Sequence, residues 1–305
     1  MMEKKFFIIT IDTESDNQWD SSKNQTTENA RFIPRFQELC EKYGFKPVYL
    51  VDYSMAQNPF LVEYLKKCSH RGTCEVGMHL HAWDTPPHYE YDTCTTARPY
   101  LIEYPVEVMH DKIKAIHELL VNAFESNVVS HRAGRWATNQ DYFKLLSEFG
   151  YRIDCSFTPG LSWKGSAGAI GGGSDYSKAG DTVSFVGPGF SLMEIPMTLK
   201  KVHRLNKPQK GIDLIKEPAK FIKGRYWWLR PALSSNEMML EVIKDRKQDY
   251  AEFMMHSSEM MPGGSPYFKT EEDIERLYSN LEEFFKLISG TYQGCTLKEY
   301  YDTHK

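Results

Sequence analysis

The chain has 305 residues, of which 41% are hydrophobic, 26% charged and 13% aromatic, with 20 Gly and 15 Pro. This balance excludes a disordered, collagen-like or coiled-coil chain, and the length suits two average domains or one large α/β barrel. A formal net charge of −4 gives no overall attraction to nucleic acid or an anionic membrane, so any such binding would need a local patch.

The start has a short basic lead, but its apolar run is only Phe6 to Ile9 plus Ile11 before Asp12. That is too short for a signal-peptide core, and no later stretch approaches a membrane span. The expectation is a cytoplasmic protein. Six scattered cysteines (Cys40, Cys68, Cys74, Cys94, Cys155, Cys295) read as reduced thiols. Cys68 and Cys74 would make half a zinc site, and no second pair completes it.

Short β-branched and aromatic runs alternate along the chain with segments of helical period. Phe6 to Ile11 reads as the first strand, Glu28 to Tyr43 as a helix stopped by Gly44, and Pro47 to Val51 as the second strand. A helix from Pro59 to Lys67, an extended run from Cys74 to His81 and a long helix from Val106 to Phe124 follow. Next come a strand at Asn127 to His131, a helix at Tyr142 to Phe149 capped by Thr138 or Asn139, and an extended run from Tyr151 to Phe157. From Leu161 the rhythm fails in a Gly- and Ser-rich loop followed by a basic, Pro-punctuated stretch, so about 161–235 reads as an insertion. Order returns with a helix at Glu237 to Asp245, a strand at Tyr250 to His256 and a last helix capped by Thr270 and stopped by Gly290. The pattern predicts an α/β fold: one irregular (β/α) barrel of about seven parallel strands over 1–305, with a loop-rich basic insertion. No Gly-x-Gly-x-x-Gly follows the first strand, which counts against a dinucleotide fold.

Polar groups gather where the strands end, the position at which barrels build their sites. Alternate residues of an extended chain share a face, so Asp12 and Glu14 can project into one cavity, and so can His79 and His81. Two neighbouring carboxylates repel unless a cation lies between them or one keeps its proton. Two neutral imidazoles and one carboxylate make a three-ligand metal site with room for water. Later strand ends carry Arg132, Arg135 and Trp136, then Asp154, and finally His256.

As a set, these motifs resemble the polysaccharide deacetylase superfamily, metal-dependent hydrolases that remove acetyl groups from sugar amides. In chain order they are Asp12-Thr13-Glu14, Glu75 to Trp83, Arg132 to Trp136, Asp154 to Phe157 and His256. The run His79 to Pro87, Arg132 to Trp136 and Trp228 to Pro231 are similar to the branch found among bacterial surface-polysaccharide genes. The likeness spans nearly the full chain. The superfamily more often has adjacent aspartates and a His-x-x-x-His pair; here Thr13 separates the carboxylates and position 83 is Trp, so His81 must supply the second imidazole.

The resemblance implies hydrolysis of an N-acetyl amide with a divalent ion, zinc by preference, held by Glu14, His79 and His81, with Asp16 the alternative carboxylate. It implies Asp12 as base, Arg132 as its ionic partner, His256 as acid to the leaving amine and Asp154 as the group that fixes the His256 tautomer. Trp83, Arg135, Trp136, Trp228 and Arg230 are the expected sugar-binding side chains. Between Lys200 and Arg230 ten Lys or Arg face only Asp213 and Glu217, a local charge of +8 that suggests a lid for an anionic glycan, such as a sugar on a nucleotide or lipid diphosphate. No nucleic-acid-binding module surrounds this patch. Two alternatives remain at this point: a glycoside hydrolase using the carboxylate pair, and a glycan-binding relative without catalysis.

Overall fold

The computed structural model describes residues 5–18, 24–91, 97–202 and 225–305. Strand β1 (Lys5–Thr13) is buried from Phe7 onward on both faces, as its apolar run requires of a central parallel strand. The helical stretch that follows is broken: a 3₁₀ turn at Glu28–Phe32 precedes α1 (Ile33–Lys42). Pro34 explains the break, since its ring favours the first positions of a helix and has no N–H for a preceding turn. β2 (Pro47–Val51) and α2 (Pro59–His70) follow, the Asn58 side chain capping α2 on Leu61 N.

Next are β3 (Glu75–Leu80), α3 (Val106–Phe124), β4 (Ser130–Ala133), α4 (Gln140–Glu148), capped by Asn139, and β5 (Ile153–Asp154). β6 (Ser184–Val186), β7 (Leu192–Glu194), β8 (Leu199–Val202) and β9 (Arg225–Trp228) lie within the stretch expected to be an insertion. The chain ends with α5 (Asn236–Ile243), β10 (Tyr250–His256), α6 (Glu271–Ile288), which starts in a Thr270–Asp273 capping box, β11 (Tyr292–Gly294) and α7 (Leu297–His304).

The sheet order is β10-β1-β2-β3-β4-β5-β7-β6, with β11 alongside the start of β1. All pairings from β10 to β7 are parallel and only β6 runs antiparallel, so the sheet curls into a half-barrel of the expected α/β type. β7 is a correction: it sits inside the presumed insertion yet completes the parallel sheet beside β5. The open side is bridged: Met254 N bonds to Leu229 O at 3.1 Å, Leu229 N to Thr198 O at 3.1 Å, and Glu252 N to Thr198 Oγ1 at 2.9 Å. The basic stretch read as a lid falls, for 203–224, outside the described residues.

Two packing layers follow from the alternation of side chains. Phe7, Ile9, Ile11, Tyr49, Val51, Met78 and Phe253 face the helices in the larger core. Ile8, Val48, Leu50, Ile153, Met193 and Tyr250 fill the concave side. Cys40, Cys68, Cys74, Cys155 and Cys295 are free and buried, and Cys94 lies outside the described residues. No helix among the described residues is long and apolar enough to cross a membrane.

Candidate metal centre

Strand register builds the site. Asp12 is paired in register with His256 across β1 and β10, and His79 with Arg132 across β3 and β4. On the concave side of β1 the sequence rises from Ile8 through Thr10 to Asp12, while β10 rises from Tyr250 through Glu252 to His256. Going up the barrel, an apolar layer therefore gives way to a charged one and then to the cavity.

In the charged layer Arg132 is fully buried. Its Nη1 donates to Asp12 Oδ1 at 2.6 Å, its Nε to Cys155 O at 3.0 Å and its Nη2 to Thr10 Oγ1 at 2.8 Å, with a further ion pair to Glu252. Burial opposes ionisation of Asp12, but Arg132, aided by His79 and His256, holds its carboxyl well below the usual range.

Above it, His79 Nδ1–H donates to the Arg132 carbonyl at 3.1 Å, which leaves the Nε2 lone pair turned to the cavity. Its Nε2 lies 3.0 Å from His81 Nε2, and Glu14 Oε2 lies 3.1 Å from His81 Nε2 and 3.7 Å from His79 Nε2. The three donor atoms stand within 4.8 Å of one another, and all three residues are buried. Burial, helped by His81, pushes His79 down to about 4, whereas the neighbouring carboxylates of Asp84 and Glu14 overcome the burial of His81 and lift it to about 10. His81 Nδ1 has Asp84 at 3.7 Å, and Asp52 stands in the same cluster with both carboxylate oxygens held by Ser15 N and Met55 N. The donor set of two imidazole nitrogens and one carboxylate oxygen, with one imidazole locked by a backbone carbonyl, fits a divalent cation. Asp16 is turned away, bound to Thr26 and Asn17.

Glu14 is placed through its backbone. Its carbonyl accepts from Asn29 Nδ2 at 2.7 Å and Ser257 Oγ at 3.1 Å, and its N–H donates to Ser257 Oγ at 3.2 Å. Across the cavity His256 Nε2 stands 3.8 Å from Asp12 Oδ2 and 4.0 Å from Glu14 Oε1. Its Nδ1 lies 3.2 Å from Glu259 Oε1, which also accepts from Arg230 Nη2 at 2.6 Å. Burial disfavours the imidazolium, but Glu14 and Glu259 outweigh it and raise the His256 pKa.

Asp154 does not reach His256, and this expectation is corrected. The residue lies on the convex face of β5, in register with His131, and its Oδ1 pairs with His131 Nδ1 at 2.6 Å. His131 Nε2 in turn bonds to Tyr142 OH at 2.7 Å. Glu259, three residues past His256 in a 3₁₀ turn, holds the place assigned to Asp154. Its signal was an acidic residue one short turn beyond a strand-end histidine. Glu252 was legible as a charge on the inward face of a buried strand. Arg98 and Gln18, which also line the cavity, sit in loops and had no sequence signal.

The cavity, about 410 Å³, is lined by Asp12, Glu14, His79, His81 and His256 with Trp83, Arg98, Arg135 and Trp136 at its rim. Trp83 stacks on His81 with centroids 4.4 Å apart. Arg135 and Trp136 have φ of 56° and 55°, two left-handed residues in succession, a strained turn at the end of β4. It is held where Arg135 donates to Arg98 O at 2.5 Å and Ala167 O at 2.7 Å, and where Tyr176 OH donates to Trp136 O at 2.6 Å. Trp136 stacks on Trp163 at 5.0 Å and leans on Trp228 at 5.5 Å. These indoles and Arg230 line an adjoining cavity of about 530 Å³ that shares Trp136 and His256 with the first.

No family model matches the chain, and no curated protein matches it either. Among solved structures it is similar to a candidate polysaccharide deacetylase from Mycobacterium smegmatis, with a TM-score of 0.55 and 13% identity over 99% of this chain and 91% of that chain. It is also similar to a 4-alpha-glucanotransferase from Thermococcus litoralis, with a TM-score of 0.55 and 14% identity over 98% of this chain and 40% of that chain. At these identities the likeness shows the fold, a half-barrel shared by proteins of different chemistry.

Proposed function

We propose that this chain is a metal-dependent hydrolase that removes an N-acyl group, acetyl in the leading case, from an amino sugar in a glycan or glycan precursor. The observation that carries the reading is the convergence of Glu14, His79 and His81 beside an Asp12–Arg132 pair, with His256 facing them. Glu14, His79 and His81 hold the cation, and their two nitrogens and one oxygen favour zinc. A cation held there would supply Lewis acidity toward the acyl carbonyl and a more acidic water.

Asp12 takes the proton of the attacking water at Oδ2, because Oδ1 is committed to Arg132. Arg132 keeps that carboxylate ionised and fixes its plane. His256, oriented through Nδ1 by Glu259, gives the Nε2 proton to the departing amine, which an amide needs because its anion leaves poorly. Trp83 and Trp136 flank the acylated sugar, and Trp228 and Arg230 serve a neighbouring residue of the glycan. The motif resemblance supports a role in surface-polysaccharide assembly.

A glycoside hydrolase is disfavoured by the same geometry. Its two carboxyl groups flank the glycosidic bond from opposite sides, whereas Asp12 and Glu14 rise from one strand and Asp12 is bound to Arg132. The test is acetate release from acetylated amino sugars together with elemental analysis. His79→Ala is expected to lose both metal and activity; His256→Ala keeps the metal and loses a factor of roughly 10²–10⁴ in turnover. Full metal occupancy in His79→Ala would overturn the ligand assignment, and activity that survives complete chelation would overturn the hydrolase mechanism.

A further inference from the structure

Not every charge at the cavity is ion-paired among the described residues. Asp12 is committed to Arg132, and Glu14 to His79 and His81. Arg98, half-buried at the rim with its guanidinium 4.9 Å over Trp83, makes no ion pair among the described residues. Its Nη1 donates to two neutral acceptors, Gln18 O and Gln18 Oε1, both at 2.8 Å. Arg135 beside it bonds, among the described residues, to two carbonyls, Arg98 O and Ala167 O. Two neighbouring guanidiniums thus share one wall, and the acids among the described residues that act on Arg98 (Asp84 and Glu14) do so from beyond ion-pair distance.

Gln18 adds a second, independent sign. It is 9% exposed, and its Oε1 accepts from both Arg98 and Gln25 Nε2, which fixes the orientation of the amide. The Nε2 donor of that amide is buried and has no acceptor among the described residues. A guanidinium bonded only to neutral acceptors among the described residues and, beside it on the cavity wall, an amide N–H₂ without an acceptor are what a carboxylate or phosphate binds. The acyl amide is neutral, so an anion bound at this wall belongs elsewhere on the substrate.

We propose that the sugar taken by this cavity carries an anionic group, a carboxylate or a phosphate, bound against Arg98 and the Gln18 amide. The inference rests on the acyl-sugar reading above and deepens it. Arg98 and Gln18 select the substrate, and Asp12 and His256 act on it. The neutral acylated sugar forms the same contacts at the reacting centre and loses those at the rim.

The test titrates the full chain, supplied with zinc, with N-acetylglucosamine, N-acetylmuramic acid, N-acetylglucosamine 6-phosphate and inorganic phosphate alone. Binding is followed by tryptophan fluorescence, for which Trp83 lies directly under Arg98, and acetate is measured in the same samples. At least one anionic sugar is expected to bind about tenfold or more tightly than the neutral one, with the gap narrowing as salt rises from about 0.05 to 0.5 M. The carboxylate and phosphate arms tell the two anions apart. Arg98→Gln is expected to close the gap and Arg98→Lys to keep part of it, each checked for native circular dichroism.

Equal binding of neutral and anionic sugars, or a gap unchanged in folded Arg98→Gln, overturns the proposal. Inorganic phosphate that binds as tightly as the sugar phosphate also overturns it, as an adventitious ion only. Anionic preference without acetate release keeps this inference and defeats the acyl-hydrolase reading; acetate release without preference does the reverse.

Discussion

Arg132 concentrates the electrostatics of the barrel interior, lying between Asp12 and Glu252 with no exposed surface. A buried guanidinium is tolerable only with its donors engaged, and here backbone, hydroxyl and two carboxylates take them up. His256 shows the same logic at the cavity wall. Glu259 helps to raise its pKa and Arg230 lowers it, so removing the Glu259 charge leaves the imidazolium less stable. An acid must be protonated to act, and the alkaline limb of the pH–rate profile follows that pKa. Glu259→Gln is therefore expected to move this limb to lower pH with the metal retained, while Asp154→Asn, acting on the other face of the sheet, leaves its position alone. A limb that moves only in Asp154→Asn would refute the assignment of Glu259. The sequence pointed to Asp12, Glu14, His79, His81, Arg132 and His256 as candidates because each lies at or just past the end of a strand. It misassigned Asp154 because β5 is two residues long, too short for its alternation to show which face the aspartate takes.

At the scale of elements, the end of β4 sets the position of the proposed metal ligand His81. A Cβ at Gly134 would stand 2.5 Å from Leu80 O and 2.6 Å from His81 Cδ2, so β3 and β4 meet there with no room for a side chain. Gly134→Ala is expected to displace the His81 ring and weaken metal binding by about 10–100-fold, the usual worth of a group that orients a ligand. Measured by competition with a chelating dye, unchanged affinity in a folded variant would show that the ring adapts. Most elements were legible from the period of their apolar residues. The exceptions have local causes: Pro34 splits the first helix, and β7 is three residues long and follows a Gly-Pro-Gly turn, so its pairing with β5 is decided by tertiary contacts.

For the whole molecule, the mouth of the half-barrel gathers the proposed ligands from the ends of β1 and β3, so an ion held there would tie distant parts of the chain together. Binding to the folded state alone adds stability by mass action, about 2.7 kcal/mol at a hundredfold excess over Kd, and chelation is expected to lower Tm by several degrees. A Tm unchanged after verified metal removal would argue against a cation shared by these strands. The same topology has a consequence for biosynthesis. β1 leaves the ribosome before β10 and β11, which flank it on the finished sheet and are made more than two hundred residues later. Translation thus delivers the acidic strand end long before its imidazole partner at 256, and β1 is enclosed only after both of these later strands have been made.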